Sequence, residues 1–234
     1  MPTAVIPTYN EAANVPQLVE RLRAAVPGIS MLFVDDGSPD GTADLLASLS
    51  TGDIRVLRRR GKQGLASAYL TGFAEALSAG AERIVQMDAD LSHDPEDVPR
   101  LLAVDSELVL GSRFVPGGGV ENWPMHRLLL SRGGSLYARL LLRLPYRDLT
   151  GGFKAWQATT LETVLRQPIR ARGYVFQVEM TLLAHLAGCT VTEVPIVFTE
   201  RVEGVSKMAG AIALEAALQV PLLRLQLLQD PALG

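Results

Sequence analysis

The chain is predicted to be an α/β protein with a mainly parallel, Rossmann-like sheet and helices on both faces. Three observations carry this expectation. Short β-prone runs alternate with stretches whose apolar residues recur at spacings of three and four, the order that places strands side by side with crossover helices between them. The runs at Ala4 to Ile6, Met31 to Val34 and Arg83 to Met87 each stop in turn formers or carboxylates, which such a sheet would bring to one edge. With 234 residues and no linker or repeat forcing a split, the chain is long enough to bury a substantial core.

Ala4-Val5-Ile6 reads as a buried strand closed by the turn Pro7-Thr8-Tyr9-Asn10, where Thr8 or Asn10 can cap the next helix. In that helix Val15, Leu18, Val19, Leu22 and Val26 form one apolar face, and Pro27-Gly28 ends it. Met31 to Val34 is the second strand. Asp35-Asp36-Gly37-Ser38-Pro39-Asp40-Gly41, dense in turn formers, leads from it to a helix over Ala43 to Leu49. A third strand, Ile54 to Leu57, precedes the basic loop Arg58 to Gly64 and a helix running to about Ser78. Gln63 stands where a Walker loop needs Ser or Thr after Gly-Lys, so this loop is no nucleotide cradle of that type.

The fourth strand, Arg83 to Met87, breaks off at Asp88-Ala89-Asp90, and Pro95-Glu96-Asp97 has the look of a first helical turn. Two like charges at the carboxyl end of a strand are costly without a partner. A hard divalent cation is the natural one, because Mg²⁺ and Mn²⁺ prefer oxygen ligands and Mg²⁺ combines one or two carboxylates with phosphate oxygens and water. Asp-x-Asp also occurs in helix caps and solvated loops, so its weight comes from the neighbouring acidic strand ends. Leu108 to Leu110 is a fifth strand, ending in Gly111-Ser112-Arg113.

Beyond Val115-Pro116-Gly117-Gly118-Gly119 and Trp123-Pro124 the character changes. Arg127, Arg132, Arg139, Arg143 and Arg147 fall in a stretch without an acidic residue, interleaved with leucines, and predict two basic amphipathic helices over about 125–146, broken at Gly133-Gly134. They either pack on the sheet with solvated arginines or meet anionic lipid or a lipid phosphate, whose oxygens suit the guanidinium fork. Asp148 to Phe153 is a glycine-rich turn before an extended run, Lys154 to Trp156. Gly173 to Met180 enters a helix containing Glu179, which is either a favourable charge near the helix start or a site residue. Thr190 to Phe198 is the last strand, followed by Arg201 and Lys207 on a glycine-containing loop that suits a diphosphate. A leucine-rich helix over 209–234 closes the sequence and packs on the domain or lies at a bilayer or partner.

Composition narrows the function. A formal charge of -3 and a pI near 5.7 give no reason to expect nucleic acid. The single cysteine, Cys189, excludes an intramolecular disulfide and a cysteine-based zinc site. No basic or apolar leader precedes the first strand, so the cytoplasm is the default compartment. The most apolar stretch, 209–228, is interrupted by Glu215, Gln219, Pro221 and Arg224, so no membrane span is expected.

Taken together, Val5-Ile-Pro-Thr-Tyr-Asn-Glu11, Val34-Asp-Asp-Gly-Ser-Pro-Asp-Gly-Thr42, Met87-Asp-Ala-Asp-Leu-Ser-His93, Gly111-Ser-Arg113, Gly117-Gly-Gly-Val120, Asp148-Leu-Thr-Gly-Gly-Phe153, Gly173-Tyr-Val-Phe-Gln-Val-Glu-Met180, Val194-Pro-Ile196 and Arg201 to Lys207 resemble the family-2 glycosyltransferases, and among them the polyprenyl-phosphate mannosyltransferases. They run in family order over almost the whole chain. The resemblance implies a GT-A fold over 1–208 and an inverting transfer of mannose from GDP-mannose to a polyprenyl phosphate with Mg²⁺ or Mn²⁺. It implies that Pro7, Tyr9, Glu11, Val34 and Asp36 hold the guanosine and that Asp88, Ala89 and Asp90 bind the diphosphate, with Asp88 and Asp90 on the metal. Arg113, Arg201 and Lys207 would meet phosphates or sugar, with Arg113, Asp88 and Asp90 carrying catalysis, and Arg127 and Ser131 would take the acceptor phosphate. Ser92 stands where some members carry Gln, which weakens the case for a metal ligand there, and His93 reads as a structural neighbour. Some relatives also have C-terminal membrane spans that this sequence lacks, so the chain would reach a lipid acceptor peripherally, on the cytoplasmic face, or through a separate membrane partner. UDP-glucose as donor, a nucleotide-binding subunit without turnover and an aspartate-nucleophile phosphatase are the other readings, the last without further motifs in its favour. A phosphate acceptor needs no general base, so Glu179 and Asp148 are left as groups that could orient the sugar.

Overall fold

The computed structural model describes residues 1–171, 173, 175–199 and 217–225. In chain order it runs β1 (Pro2–Thr8), α1 (Val15–Ala25), β2 (Ser30–Asp35), α2 (Thr42–Leu49), β3 (Ile54–Arg58), α3 (Leu65–Ser78), β4 (Arg83–Gln86), a 3-10 turn (Pro95–Asp97), α4 (Val98–Leu102), β5 (Leu108–Ser112), β6 (Gly119–Glu121), α5 (Met125–Leu142), β7 (Lys154–Gln157), α6 (Ala158–Leu165), α7 (Val175–Leu186), β8 (Val191–Pro195) and β9 (Val197–Thr199). Residues 217–225 are helical.

Seven strands form one sheet in the order β3-β2-β1-β4-β7-β5-β8. Side chains alternate across a strand, and here both faces are buried: Val5 joins the core under α3 and α7, while Ala4 and Ile6 join the core under α1 and α2. Apolar runs without polar alternation follow directly, as a doubly covered sheet requires. Gly72 of α3 lets that helix settle on the sheet, since a Cβ there would lie 2.4 Å from Val5 Cγ1. β1 pairs in parallel with β2 and β4, so the ends at Pro7, Asp35 and Asp88 open on one edge, as expected.

Two expectations are corrected. The basic segment is one helix, Met125–Leu142, running through Gly133-Gly134. Two glycines cost about 1 kcal/mol each in a helix, but Ser135, Ala138 and Leu142 are buried and hold the next turns against the body, so packing outweighs propensity. The last strand is two: β8 ends at Pro195, and β9 pairs in parallel with β6 as a separate ribbon. The extended run Lys154 to Trp156 is a strand, as expected, and it is inserted between β4 and β5, antiparallel to both.

That insertion buries Lys154, whose Nζ donates to Gln177 O at 2.7 Å and Thr181 Oγ1 at 2.9 Å. Burial lowers its pKa from 10.5 to about 7, against a weaker opposing pull from Asp148. Between those values the unfolded chain holds a proton that the folded chain does not, so stability rises with pH across this window. Replacing Lys154 with Met is therefore expected to compare more favourably with wild type at pH 6 than at pH 9, the difference shifting by about 2 kcal/mol. Denaturant melts of both proteins at the two pH values check this.

The boundary read near 208 lies outside the described residues. Val220 and Leu223 of the helical 217–225 are buried in the same core as α5 and α7, and Tyr137 Oη donates to Ala217 O at 3.3 Å.

Candidate active site at the carboxyl ends of the strands

The chain leaves β4 through a tight turn. Leu91 sits at φ 60°, a left-handed conformation uncommon for a branched side chain, and it brings Ser92 N to Asp90 Oδ1 at 3.1 Å and His93 Nδ1 back to Asp88 N at 3.0 Å. His93 is buried, stacked 4.9 Å from Phe153 and edge-on to Phe198 at 5.4 Å. Burial lowers its pKa despite nearby Asp88 and Asp90, so it is a neutral ring that accepts at Nδ1 and props the turn. The expectation of a structural neighbour agrees with this geometry.

Asp88 has a second support that the sequence reading missed. Tyr69, fully buried in α3 between Phe73 and Phe176, donates its hydroxyl to Asp88 Oδ1 at 2.8 Å. Burial and the adjacent Asp88 hold the phenol well above its ordinary pKa, so it remains a donor. Asp88 is thereby oriented with Oδ2 toward Gly152. No third His, Cys, Asp or Glu joins Asp88 and Asp90 in a group among the described residues. Two carboxylates with the remaining ligands drawn from a diphosphate and water are a donor set that fits Mg²⁺ or Mn²⁺. Ala89 between them is buried in the core.

At the β1 and β2 ends, Pro7 lies opposite Val34 in register, and Tyr9 stands 37% exposed. Val34 turns its side chain into the core. Glu11 accepts from Asn14 Nδ2 at 2.7 Å, and its own N–H donates to Thr42 Oγ1 at 3.0 Å. Asp36 is buried and accepts from Gln63 N and Gly64 N at 3.1 and 3.2 Å, with Arg59 Nη1 at 3.0 Å from Oδ1. It therefore ties the basic loop to the β2 end. Gly37 fits this junction because its φ is +74° and a Cβ would approach Gly61 N to 2.9 Å. Lys62 Nζ ends 4.1 Å over the Tyr9 ring, so the basic loop borders the same edge.

Across the cleft, Arg113 at the end of β5 is gripped by Asp148. Nε and Nη2 donate to the two carboxylate oxygens at 2.7 Å each, Arg113 N donates at 2.9 Å, and Nη2 also reaches Thr150 Oγ1 at 2.9 Å. Both side chains are buried. Burial alone would raise the Asp148 pKa, but the Arg113 charge, with bonds from Arg113 and Gly151, holds it below the usual carboxylate range. Asp148, read as a sugar-orienting group, is thus the support of Arg113. Nη1 is outside this fork and is the part of the guanidinium that a ligand could meet. Glu179, the other such group, is the anchor of a loop: it accepts from Arg170 N and Ala171 N, the latter at 2.7 Å.

Helix α5 reaches the same site. Ser131 Oγ lies 3.5 Å from Thr150 Oγ1, and the Arg127 guanidinium stacks 4.2 Å over Trp123, the ring that Arg113 also faces at 5.4 Å. The structure thus places Pro7, Tyr9, Glu11, Asp36, Asp88, Asp90, Arg113, Arg127 and Ser131 along one edge of the sheet. Arg201 and Lys207 lie outside the described residues.

The comparisons agree with this architecture. Residues 3–165 match the model of glycosyl transferase family 2. The chain is 46% identical over 222 residues to the polyprenol monophosphomannose synthase of Mycolicibacterium smegmatis, covering 92% of this chain and 84% of that one. It is also 46% identical over 220 residues to the undecaprenyl-phosphate mannosyltransferase of Micrococcus luteus, covering 92% and 90%. To the dolichol-phosphate mannosyltransferase of Pyrococcus furiosus it is 37% identical, spanning 60% of that protein's length. A solved structure of glucosyl-3-phosphoglycerate synthase from Mycobacterium tuberculosis, in complex with Mn²⁺, UDP and phosphoglyceric acid, superposes with a TM-score of 0.69 at 18% identity, over 96% of this chain and 78% of that one, a likeness of fold. On its sequence, this chain belongs to glycosyl transferase family 2.

Proposed function

We propose that this protein moves mannose from GDP-mannose to a polyprenyl phosphate, with inversion at the anomeric carbon, at the cytoplasmic surface of a membrane. What supports the reading is that the Asp88/Asp90 strand end, the fork-held Arg113 and Ser131 of a basic helix lie at the same edge of the sheet. The relatives named for polyprenyl-phosphate mannose synthesis support the substrate class.

A phosphate monoester, with a second pKa near 6, is already an anion at neutral pH, so no residue need remove a proton from the acceptor. The chain's task is to place two anions in line and offset their repulsion. Arg113 offers Nη1 from a fixed mount, while Arg127 and Ser131 come from the acceptor side. Mg²⁺ or Mn²⁺ held by Asp88 and Asp90 would supply charge stabilisation to the departing GDP. A concerted displacement then needs only that mannose C1 lie between the two phosphates.

The acceptor side continues as an apolar surface. Met125, Leu129, Leu136 and Leu140 form an exposed stripe on α5, Leu218, Leu222 and Leu225 are exposed on 217–225, and the helix arginines stand alongside. No helix among the described residues is long and apolar enough to cross a membrane. Such a face with basic neighbours suits an anionic lipid surface, lying in its plane, alone or beside a membrane-anchoring partner. Leu129→Ser with Leu140→Ser should cut flotation with anionic vesicles about tenfold or more, whereas zwitterionic vesicles should bind wild type weakly.

The decisive assay offers GDP-mannose and UDP-glucose, each with a short polyprenyl phosphate, with Mg²⁺, Mn²⁺ or EDTA. Metal-dependent mannolipid from GDP-mannose is expected. Turnover with UDP-glucose alone would overturn the donor assignment, and binding of GDP-mannose without any product would make the chain a binding subunit.

A further inference from the structure

The helix entered at Gly173 contributes a side chain to the cleft that the reading above does not use. Gln177 is 2% exposed, and its carbonyl oxygen is pinned by Lys154 Nζ at 2.7 Å and Thr181 Oγ1 at 3.0 Å. Its side-chain amide is fixed by a relay that starts at an indole. Trp156 Nε1 can only donate, and it donates to Gln86 Oε1 at 3.2 Å. Gln86 must therefore present Nε2 to its other neighbour, Gln177 Oε1, at 2.7 Å. With Oε1 taken, the Gln177 amide turns Nε2 and its two hydrogens the other way. Amide orientation is usually ambiguous, but a donor-only group at the head of the chain removes the ambiguity for both glutamines.

What Nε2 faces is the space beside Gly152. A Cβ on that residue would lie 3.3 Å from Gln177 Nε2, 3.5 Å from His93 Cε1 and 3.8 Å from Asp88 Oδ2. Gly152 is partly exposed, and the Asp88 side chain is 35% exposed, so the space adjoins the cleft. It has a fixed amide donor on one side and a carboxylate acceptor on the other. A sugar hydroxyl, which donates and accepts at once, is the group that satisfies both. Nothing else in the buried relay requires its last donor to be aimed there.

We propose that Gln177 is a donor-binding residue whose Nε2 hydrogen-bonds a hydroxyl of the transferred sugar beside Gly152. This rests on the assignment of a nucleotide-sugar donor made above. The test measures binding of GDP and of GDP-mannose to the full chain by titration calorimetry with Mn²⁺, for wild type, Gln177→Met and Gly152→Ala. Met keeps the volume without a donor, and Ala sets a methyl 3.3 Å from Gln177 Nε2, crowding the donor itself, so the two variants disturb the contact in different ways. The expected result is a rise in the GDP-mannose Kd of about tenfold to hundredfold, with the GDP Kd within about twofold of wild type. The Gln177→Met effect should disappear with the GDP-deoxymannose that lacks the recognised hydroxyl. Equal weakening of GDP and GDP-mannose would place the contact on the diphosphate or in the pocket's shape and overturn the proposal. Variants that bind both ligands as wild type does, while wild type binds and transfers mannose, would overturn it alone; a wild type that binds no GDP-mannose would overturn the donor assignment and this proposal with it.

Discussion

Alanine at Asp90 is expected to lower mannosyl transfer by about 10³-fold or more while leaving the melting temperature within a few degrees of wild type. The asymmetry between the two aspartates is the reason for choosing Asp90. Asp88 is braced by the Tyr69 hydroxyl and, through its backbone, by His93, so changing it also disturbs a buried tyrosine. Asp90 accepts from Ser92 N at 3.1 Å, a bond within its own turn. Asp90→Asn keeps an oxygen for Ser92 but deletes the charge. If the charge holds a divalent cation against the diphosphate, Asn should be nearly as inactive as Ala, and the Mn²⁺ concentration needed for half-maximal residual activity should rise. Steady-state assays across a Mn²⁺ series check this, and wild-type turnover by Asp90→Asn would exclude the role. Tyr69→Phe tests the brace separately. It removes a hydrogen bond to a charged group, generally a contribution of about 1.5–3 kcal/mol, and should lower the rate far less than Asp90→Ala.

The sheet edge was legible because its signals are local. A strand followed by Asp88-Ala89-Asp90, or by Asp35-Asp36-Gly37, announces its own end, and a parallel α/β pattern says that such ends share an edge. What stayed hidden depends on pairing between distant segments. Lys154 to Trp156 is extended in either reading, but its place between β4 and β5 and its direction come from the route of the chain after α5. The role of Lys154 follows from that burial, and so does the relay through Gln86, Gln177 and Trp156, whose members come from β4, α7 and β7. Gln86 did carry a trace, as a polar residue in a run otherwise fit for burial on both faces, and a buried amide needs a partner. Gly133-Gly134 misled for the opposite reason: a local helix penalty was legible, while the packing that overrides it was not. The fork between Arg113 and Asp148 links residues 35 apart in sequence, so two charges that each looked like ligand groups are first of all partners of one another.

Asp148→Ala should therefore act on stability and catalysis together, and the two effects can be separated. Removing one partner of a buried pair leaves the other charge uncompensated, a loss of about 3–5 kcal/mol. The Arg113 guanidinium would also lose both oxygens that aim it, so the rate should fall by about 10²-fold or more even in the fraction that stays folded. Asp148→Asn retains one acceptor and should fall between wild type and Ala in a denaturant melt. Because Asp148 is held below the usual carboxylate range, its stabilising contribution is complete above the unfolded carboxylate pKa and declines only as pH falls through the depressed folded value. The wild-type advantage over Asn should thus be flat from about pH 8 to pH 5 and shrink in stronger acid. The double variant Arg113→Met with Asp148→Leu resolves the rest. Replacing both charges with apolar side chains of similar size often restores stability, since neither ion is then left buried alone. A double variant that melts near wild type yet transfers no mannose would assign the lost rate to the Arg113 charge at the cleft. Recovery of transfer along with stability would instead make the pair purely structural, and the positive charge facing the phosphates would have to come from other residues of the cleft.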